Sequence, residues 1–246
     1  MARPSAHLLV IHGSRAPRTH RGLWEVEQQV RWLLQQNSRC DLVATATLEL
    51  GQFSLHEQIE HFGDRLLVRG IDTLNIIPLF LLPGVHVMED IPAEVSVAQQ
   101  TLGRKLNLNI CPYLGTHRQL QDILVQEMAK SDRQTWIVAA HGSRRAGGNQ
   151  PIEILAHQLG IVDAYWSVMP SVQWRMEQLL ELGYDRIGIL PYFLFPGHIT
   201  DAIATAVCQL QQHYPQLDYA IAPTLSQYSS FAKIVLDLTV NLKIQR

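Results

Sequence analysis

Two stretches of the chain share one pattern: LLVIHGSR at residues 8–15 and IVAAHGSR at residues 137–144, each an apolar run closed by His-Gly-Ser-Arg. A second pair follows in the same order, IIPLFLLPG (76–84) and GILPYFLFPG (188–197). These agree at Pro78/Pro191, Phe80/Phe193, Leu81/Leu194, Pro83/Pro196 and Gly84/Gly197. Two ordered motifs repeated in two halves indicate a tandem duplication, and that constrains the fold strongly: whatever one half forms, the other must form too. The boundary falls near residues 131–135, giving an N-terminal domain of residues 1–131 and a degenerate C-terminal repeat of residues 132–246.

Between the motifs, short apolar runs alternate with stretches of helical spacing. Leu8–Ile11, Leu42–Leu48, Leu74–Leu82 and Leu108–Cys111 read as buried strands. Helices are expected over Thr19–Asn37, from Ser54 to near Gly70, over Ile91–Leu102 and over His117–Lys130. Ser54 with Glu57 three residues later forms a capping-box signature. The second half repeats the order. Its strands are expected at Trp136–Ala140, Val162–Val168, Ile187–Phe195 and Leu217–Ile221. Its helices are expected at Pro151–Leu159, Ser171–Leu182, Ile199–Gln212 and Ser226–Leu242. Strand–helix alternation implies parallel sheets with right-handed crossovers, so the fold class is α/β with two tandem, similar parallel-sheet domains.

In an open parallel sheet, ligands bind outside the carboxyl ends of the strands. His12 follows the first strand, Glu49 ends the second and His86 lies in the loop after the third. Two imidazoles and one carboxylate suit a borderline divalent metal and leave coordination positions open. The second half keeps His141, and His198 stands one residue out of step with His86. At the second strand, however, ATLEL meets AYWSV, and Ser167 or a neighbour replaces Glu49. A single metal site on the first half is therefore expected.

Several other classes lack support. The formal net charge of −2, without a Lys/Arg run, gives no footprint for nucleic acid. Cys40, Cys111 and Cys208 have no metal-knuckle spacing and fit reduced thiols. The most apolar window, from Leu74, is broken by Pro78, Pro83 and Gly84, so a soluble cytoplasmic protein is expected, without membrane contact. HEQIEH (56–61) spaces its histidines five apart instead of the four of a zinc-protease helix, and reads as a solvated helix face. HGSRRAGGNQP lacks the Walker Lys-Ser/Thr, and no G-x-S-x-G is present.

HGSR after the first strand, ATLEL at the second and PLFLLPGVHVMEDIPAE after the third resemble the class II chelatases of tetrapyrrole biosynthesis. The closest branch is similar to the long-form sirohydrochlorin chelatases, which place cobalt or ferrous iron in sirohydrochlorin for cobalamin or sirohaem. G-x-H-x-x-x-D-I-P (Gly84–Pro92) is the most specific element. The resemblance implies two similar α/β domains around a central cleft, no ATP and no organic cofactor, with the divalent metal as a substrate. It assigns metal capture and proton acceptance to His12 and His86, and charge balance to Glu49. The polycarboxylate substrate calls for donors, for which Ser14, Arg15, Ser143, Arg144 and Arg145 are candidates. Duplication within one chain favours a monomer. A non-catalytic tetrapyrrole or metal carrier and a metal-dependent hydrolase are the alternative readings of the same residues.

Overall fold

The computed structural model describes residues 5–36 and 41–240, and within them the βα order occurs twice. The first half runs β1 (Ala6–Ile11), α1 (Pro17–Gln36), β2 (Leu42–Thr47), α2 (Leu55–Val68), β3 (Thr73–Pro78), α3 (Ile91–Leu102), β4 (Asn107–Ile110) and α4 (Gln119–Met128). The second runs β5 (Thr135–Ala140), α5 (Gln150–Leu159), β6 (Val162–Tyr165), α6 (Val172–Glu181), β7 (Arg186–Pro191), α7 (His198–His213), β8 (Asp218–Ile221) and α8 (Phe231–Val240). Asn37, Cys40 and Leu242, which figure in the sequence expectations, lie outside the described residues.

Each half forms a four-stranded parallel sheet, in the orders β2-β1-β3-β4 and β6-β5-β7-β8. From the first strand the chain moves to one neighbour and then crosses to the other side. The switch point of each sheet is thus between its first and third strands, where a parallel sheet offers a crevice. Strand alternation divides the side chains between two faces. Ala6, Leu8 and Val10 join Leu74 and Ile76 beneath α2 and α3, sealed by Leu55, Ile59, Ile91 and Ala98. On the second sheet Ile137, Ala139, Ile187 and Ile189 pack under α6 and α7, against Met176, Leu179, Ile203 and Val207.

The third strands end earlier than the apolar runs suggest, at Pro78 and Pro191. One further bond each, Leu79 N–H to the Val10 carbonyl (2.7 Å) and Tyr192 N–H to the Ala139 carbonyl (2.8 Å), extends the pairing before the chain leaves the sheet. The last helix begins at Phe231 instead of Ser226, since Thr224 and Gln227 close a separate 3₁₀ turn over Leu225–Gln227.

The compact units differ from the sequence halves 1–131 and 132–246. One comprises Met1–His117 with Ser229–Arg246, and the other Arg118–Tyr228. The final helices are exchanged: α8 packs on α1 and β3 of the first unit, while α4 stays with the second. Burial gives the physical reason. Phe231, Ala232, Ile234, Val235 and Leu238 of α8 are essentially inaccessible, and they cover the face of the first sheet left open by α2 and α3. Among the described residues no helix is long and apolar enough to cross a membrane.

In the second unit, Trp136 on β5 lies directly over Gly188 on β7, its register partner, and a Cβ added at Gly188 would come within 2.2 Å of the indole. Gly188→Val should destabilise the protein by about 1–3 kcal/mol through overpacking. A scan of thermal unfolding should show a lower midpoint; an unchanged or higher midpoint would contradict this packing.

Candidate metal centre

Two backbone bonds extend the β1–β2 ladder beyond the strands: Leu48 N–H donates to the Ile11 carbonyl (2.9 Å) and Glu49 N–H to the His12 carbonyl (2.8 Å). They fix His12 and Glu49 side by side. Gly13 makes this approach possible. Its φ is +117°, and a Cβ built there would lie 2.1 Å from the Glu49 carbonyl oxygen, so no other residue fits without moving the loop. The backbone then turns sharply at Leu50, the one non-glycine residue with positive φ (59°) among those described.

Gln58, on the first turns of α2, holds the Glu49 loop from behind. Its side-chain oxygen accepts from Thr47 N–H (3.0 Å), and its amide nitrogen donates to the carbonyls of Thr47 (2.8 Å) and Phe53 (3.0 Å). The expected Ser54–Glu57 capping box is formed and starts α2. His86 opens a single π turn, His86–Asp90, which runs into α3. The wide turn has a local cause: Pro92 has no N–H to donate to the Met88 carbonyl, and its ring would crowd that oxygen in a regular helix.

One donor atom from each of His12, Glu49 and His86 lies within 4.8 Å of the others. The two rings meet edge to face with centroids 4.7 Å apart, and His12 Nε2 is 3.6 Å from Glu49 Oε2. Each ring has an acceptor behind its Nδ1. His12 Nδ1 faces the Gly13 carbonyl (3.4 Å), which can only accept. His86 Nδ1 lies 2.7 Å from Asp90 Oδ2. A neutral ring with its proton on Nδ1 has its Nε2 lone pair available beside the Glu49 carboxylate. Such a set offers a divalent cation three ligands. All three side chains are half-exposed, so an ion can enter and leave.

The second unit retains the backbone and loses the carboxylate. Trp166 N–H donates to the Ala140 carbonyl and Ser167 N–H to the His141 carbonyl, matching the Leu48 and Glu49 bonds. Ser167 therefore occupies the Glu49 position, and its hydroxyl donates to the Gly142 carbonyl (3.2 Å). His198 begins α7 and is exposed. Among the described residues, only the first-unit triplet forms a cluster able to hold a metal.

The other expected site residues are placed less specifically. Ser14 Oγ accepts from Ala16 N–H and Ser143 Oγ from Arg145 N–H, so both hydroxyls brace their own turns. Arg15, Arg144 and Arg145 are exposed. The HEQIEH helix is more than the solvated face expected of it. His56, less than a third exposed, pairs through Nδ1 with Glu94 on α3 (2.9 Å), and His61 stacks edge to face on Phe53. This pair ties the helix that follows Glu49 to the helix that follows His86. Glu94 lies 38 residues from His56, so no local pattern could have revealed it. Asp90, by contrast, was already visible in the quoted loop at the i+4 position from His86.

The CbiX family model matches residues 6–131 and 135–241. The chain belongs to the CbiX family. The two matched segments meet where the sequence repeat divides. Among curated relatives, the chain is 24% identical over 231 residues to a sirohydrochlorin cobaltochelatase of Priestia megaterium, covering 87% of this chain and 72% of that one. It is 22% identical over 245 residues to a sirohydrochlorin ferrochelatase of the same organism, covering 94% and 87%. Among solved structures, SirB from Bacillus subtilis with Fe3+ superposes with a TM-score of 0.75 at 17% identity, covering 97% and 95% of the two chains. The family's fold is thus that of this chain, two parallel-sheet α/β units of four strands each.

The hydrogen bond to Glu94, and to a lesser degree the nearby charges of Glu94, Glu60 and Glu57, raise the His56 pKa above its ordinary 6.5. A raised folded-state pKa stabilises fully below the unfolded value and is lost as pH climbs through the folded one. The stabilising margin of the wild type over His56→Gln should therefore be widest near about pH 6 and narrow by about pH 9. Thermal unfolding across that range checks it; a margin that grows with pH would contradict the pairing.

Proposed function

We propose that this chain inserts a divalent metal, Co2+ or Fe2+, into sirohydrochlorin at the His12–Glu49–His86 centre. The observation that carries the reading is the convergence of two imidazoles and a carboxylate at the switch point of the first sheet, with donor atoms within 4.8 Å and open to solvent. An insertion site must hold its ion loosely enough to pass it on. Three protein donors leave coordination positions open for the macrocycle nitrogens. One carboxylate only half-neutralises a divalent ion, which keeps release within reach.

Metallation also frees two pyrrole protons. Neutral imidazole accepts protons under ordinary cellular conditions, and His12 and His86 are the imidazoles at the centre. Glu49 offsets the incoming charge. Exposed apolar side chains adjoin the donors: Leu50 follows Glu49, Phe53 lies in the same loop and Met88 is two residues beyond His86. Apolar contacts beside a metal centre suit a flat ring, and the exposed Arg15 suits a carboxylate at its rim. Arg144 and Arg145 offer the same chemistry on the first loop of the second unit. Nothing in an imidazole–carboxylate donor set separates Co2+ from Fe2+, so metal supply decides which is used.

The test is anaerobic metallation of sirohydrochlorin with Co2+ and with Fe2+, followed by absorbance. His12→Ala, His86→Ala and Glu49→Gln should each slow insertion by at least about 10²-fold. His141→Ala should stay close to the wild-type rate. Wild-type rates equal to the uncatalysed background would overturn the enzyme reading; binding of both partners without turnover would indicate a carrier instead.

A further inference from the structure

We propose that Asp90 is the positioning residue of the metal centre, acting through His86; this rests on the reading of His86 as a metal donor. The two imidazoles are oriented differently. His12 Nδ1 has only the carbonyl of its neighbour Gly13, at 3.4 Å. His86 Nδ1 has a carboxylate at 2.7 Å, the geometry of a strong, charge-assisted hydrogen bond. That bond allows one tautomer, with the proton on Nδ1 and the lone pair on Nε2. It also limits rotation of the ring, which otherwise meets only the edge of His12 and a tilted Phe80 at 6.3 Å between centroids.

The device is built into the backbone. His86 and Asp90 are the first and last residues of the π turn, and Ile91 N–H donates to the His86 carbonyl to close it. Pro92 follows immediately, so the turn that brings the two side chains together is encoded beside them. A carboxylate behind a ligating imidazole also raises its donor strength. Asp90 is thus assigned to metal affinity, not to contact with the macrocycle.

The experiment titrates Co2+ into the full chain without tetrapyrrole, comparing wild type with Asp90→Ala, Asp90→Asn and Glu89→Gln. Glu89 is an exposed acid in the same turn, so its variant removes the same charge without touching His86. Asp90→Ala should weaken Co2+ binding by about 10–100-fold. Asp90→Asn, which can still accept from Nδ1, should fall between it and the wild type, and Glu89→Gln should match the wild type. In turnover, Asp90→Ala should raise KM for the metal and leave KM for sirohydrochlorin unchanged. Nitrogen-15 NMR of the wild-type His86 ring in metal-free protein should show the Nδ1–H tautomer, which tests the assignment even if a variant fails to fold. Tight binding by Asp90→Ala, equal losses in Asp90→Ala and Glu89→Gln, or an Nε2–H ring in the wild type would overturn it. A wild type that binds no Co2+ would overturn the metal-centre reading as well, which separates that failure from a failure of Asp90 alone.

Discussion

The close approach of Gly13 to the Glu49 carbonyl is the contact on which the site depends. It lets the ends of β1 and β2 stay paired for two residues past the sheet, and so delivers an imidazole and a carboxylate to one point. The strand order then brings β3 to the other side of β1, and the Pro-Gly loop with its π turn presents the second imidazole. None of the three side chains is buried by an apolar core. Their positions come from backbone geometry behind them, through Gly13, Gln58 and Asp90.

A centre of this kind is electrostatically unfinished. Acceptors stand behind its two Nδ1 atoms, the Gly13 carbonyl and the Asp90 carboxylate, and His12 Nε2 faces the Glu49 carboxylate on the inner side. In the proposed role a cation completes it. Partial exposure lets that cation exchange, which a structural site with four protein ligands would resist. The duplicated half shows how one residue removes the carboxylate from such a cluster. With the same two ladder bonds and the same His-Gly-Ser turn, the serine at position 167 directs its hydroxyl back to the Gly142 carbonyl.

The sequence carried the parts of this structure that depend on local pattern. Period and capping residues indicate the strands and the Ser54 start of α2, and strand-end position marks His12, Glu49 and His86, which the fold brings together. Contacts between distant segments were not readable. The exchange of α4 and α8 between compact units leaves no mark on either helix's own spacing, because each reads simply as an amphipathic helix. The His56–Glu94 tie spans two helices, and the Gln58 clamp replaces backbone partners that no motif specifies. The π turn has its local cause in Pro92, two residues beyond Asp90.

The central claim is that one metal-handling centre exists per chain and that it lies at the end of the first sheet. Anomalous diffraction at the cobalt edge, from crystals of the full chain equilibrated with Co2+, tests it most directly. The account predicts a single peak per chain at about 2.0–2.2 Å from one nitrogen each of His12 and His86 and from Glu49 oxygen. A principal peak at His141 or His198, or occupancy unchanged when His12 and His86 are replaced, would contradict it.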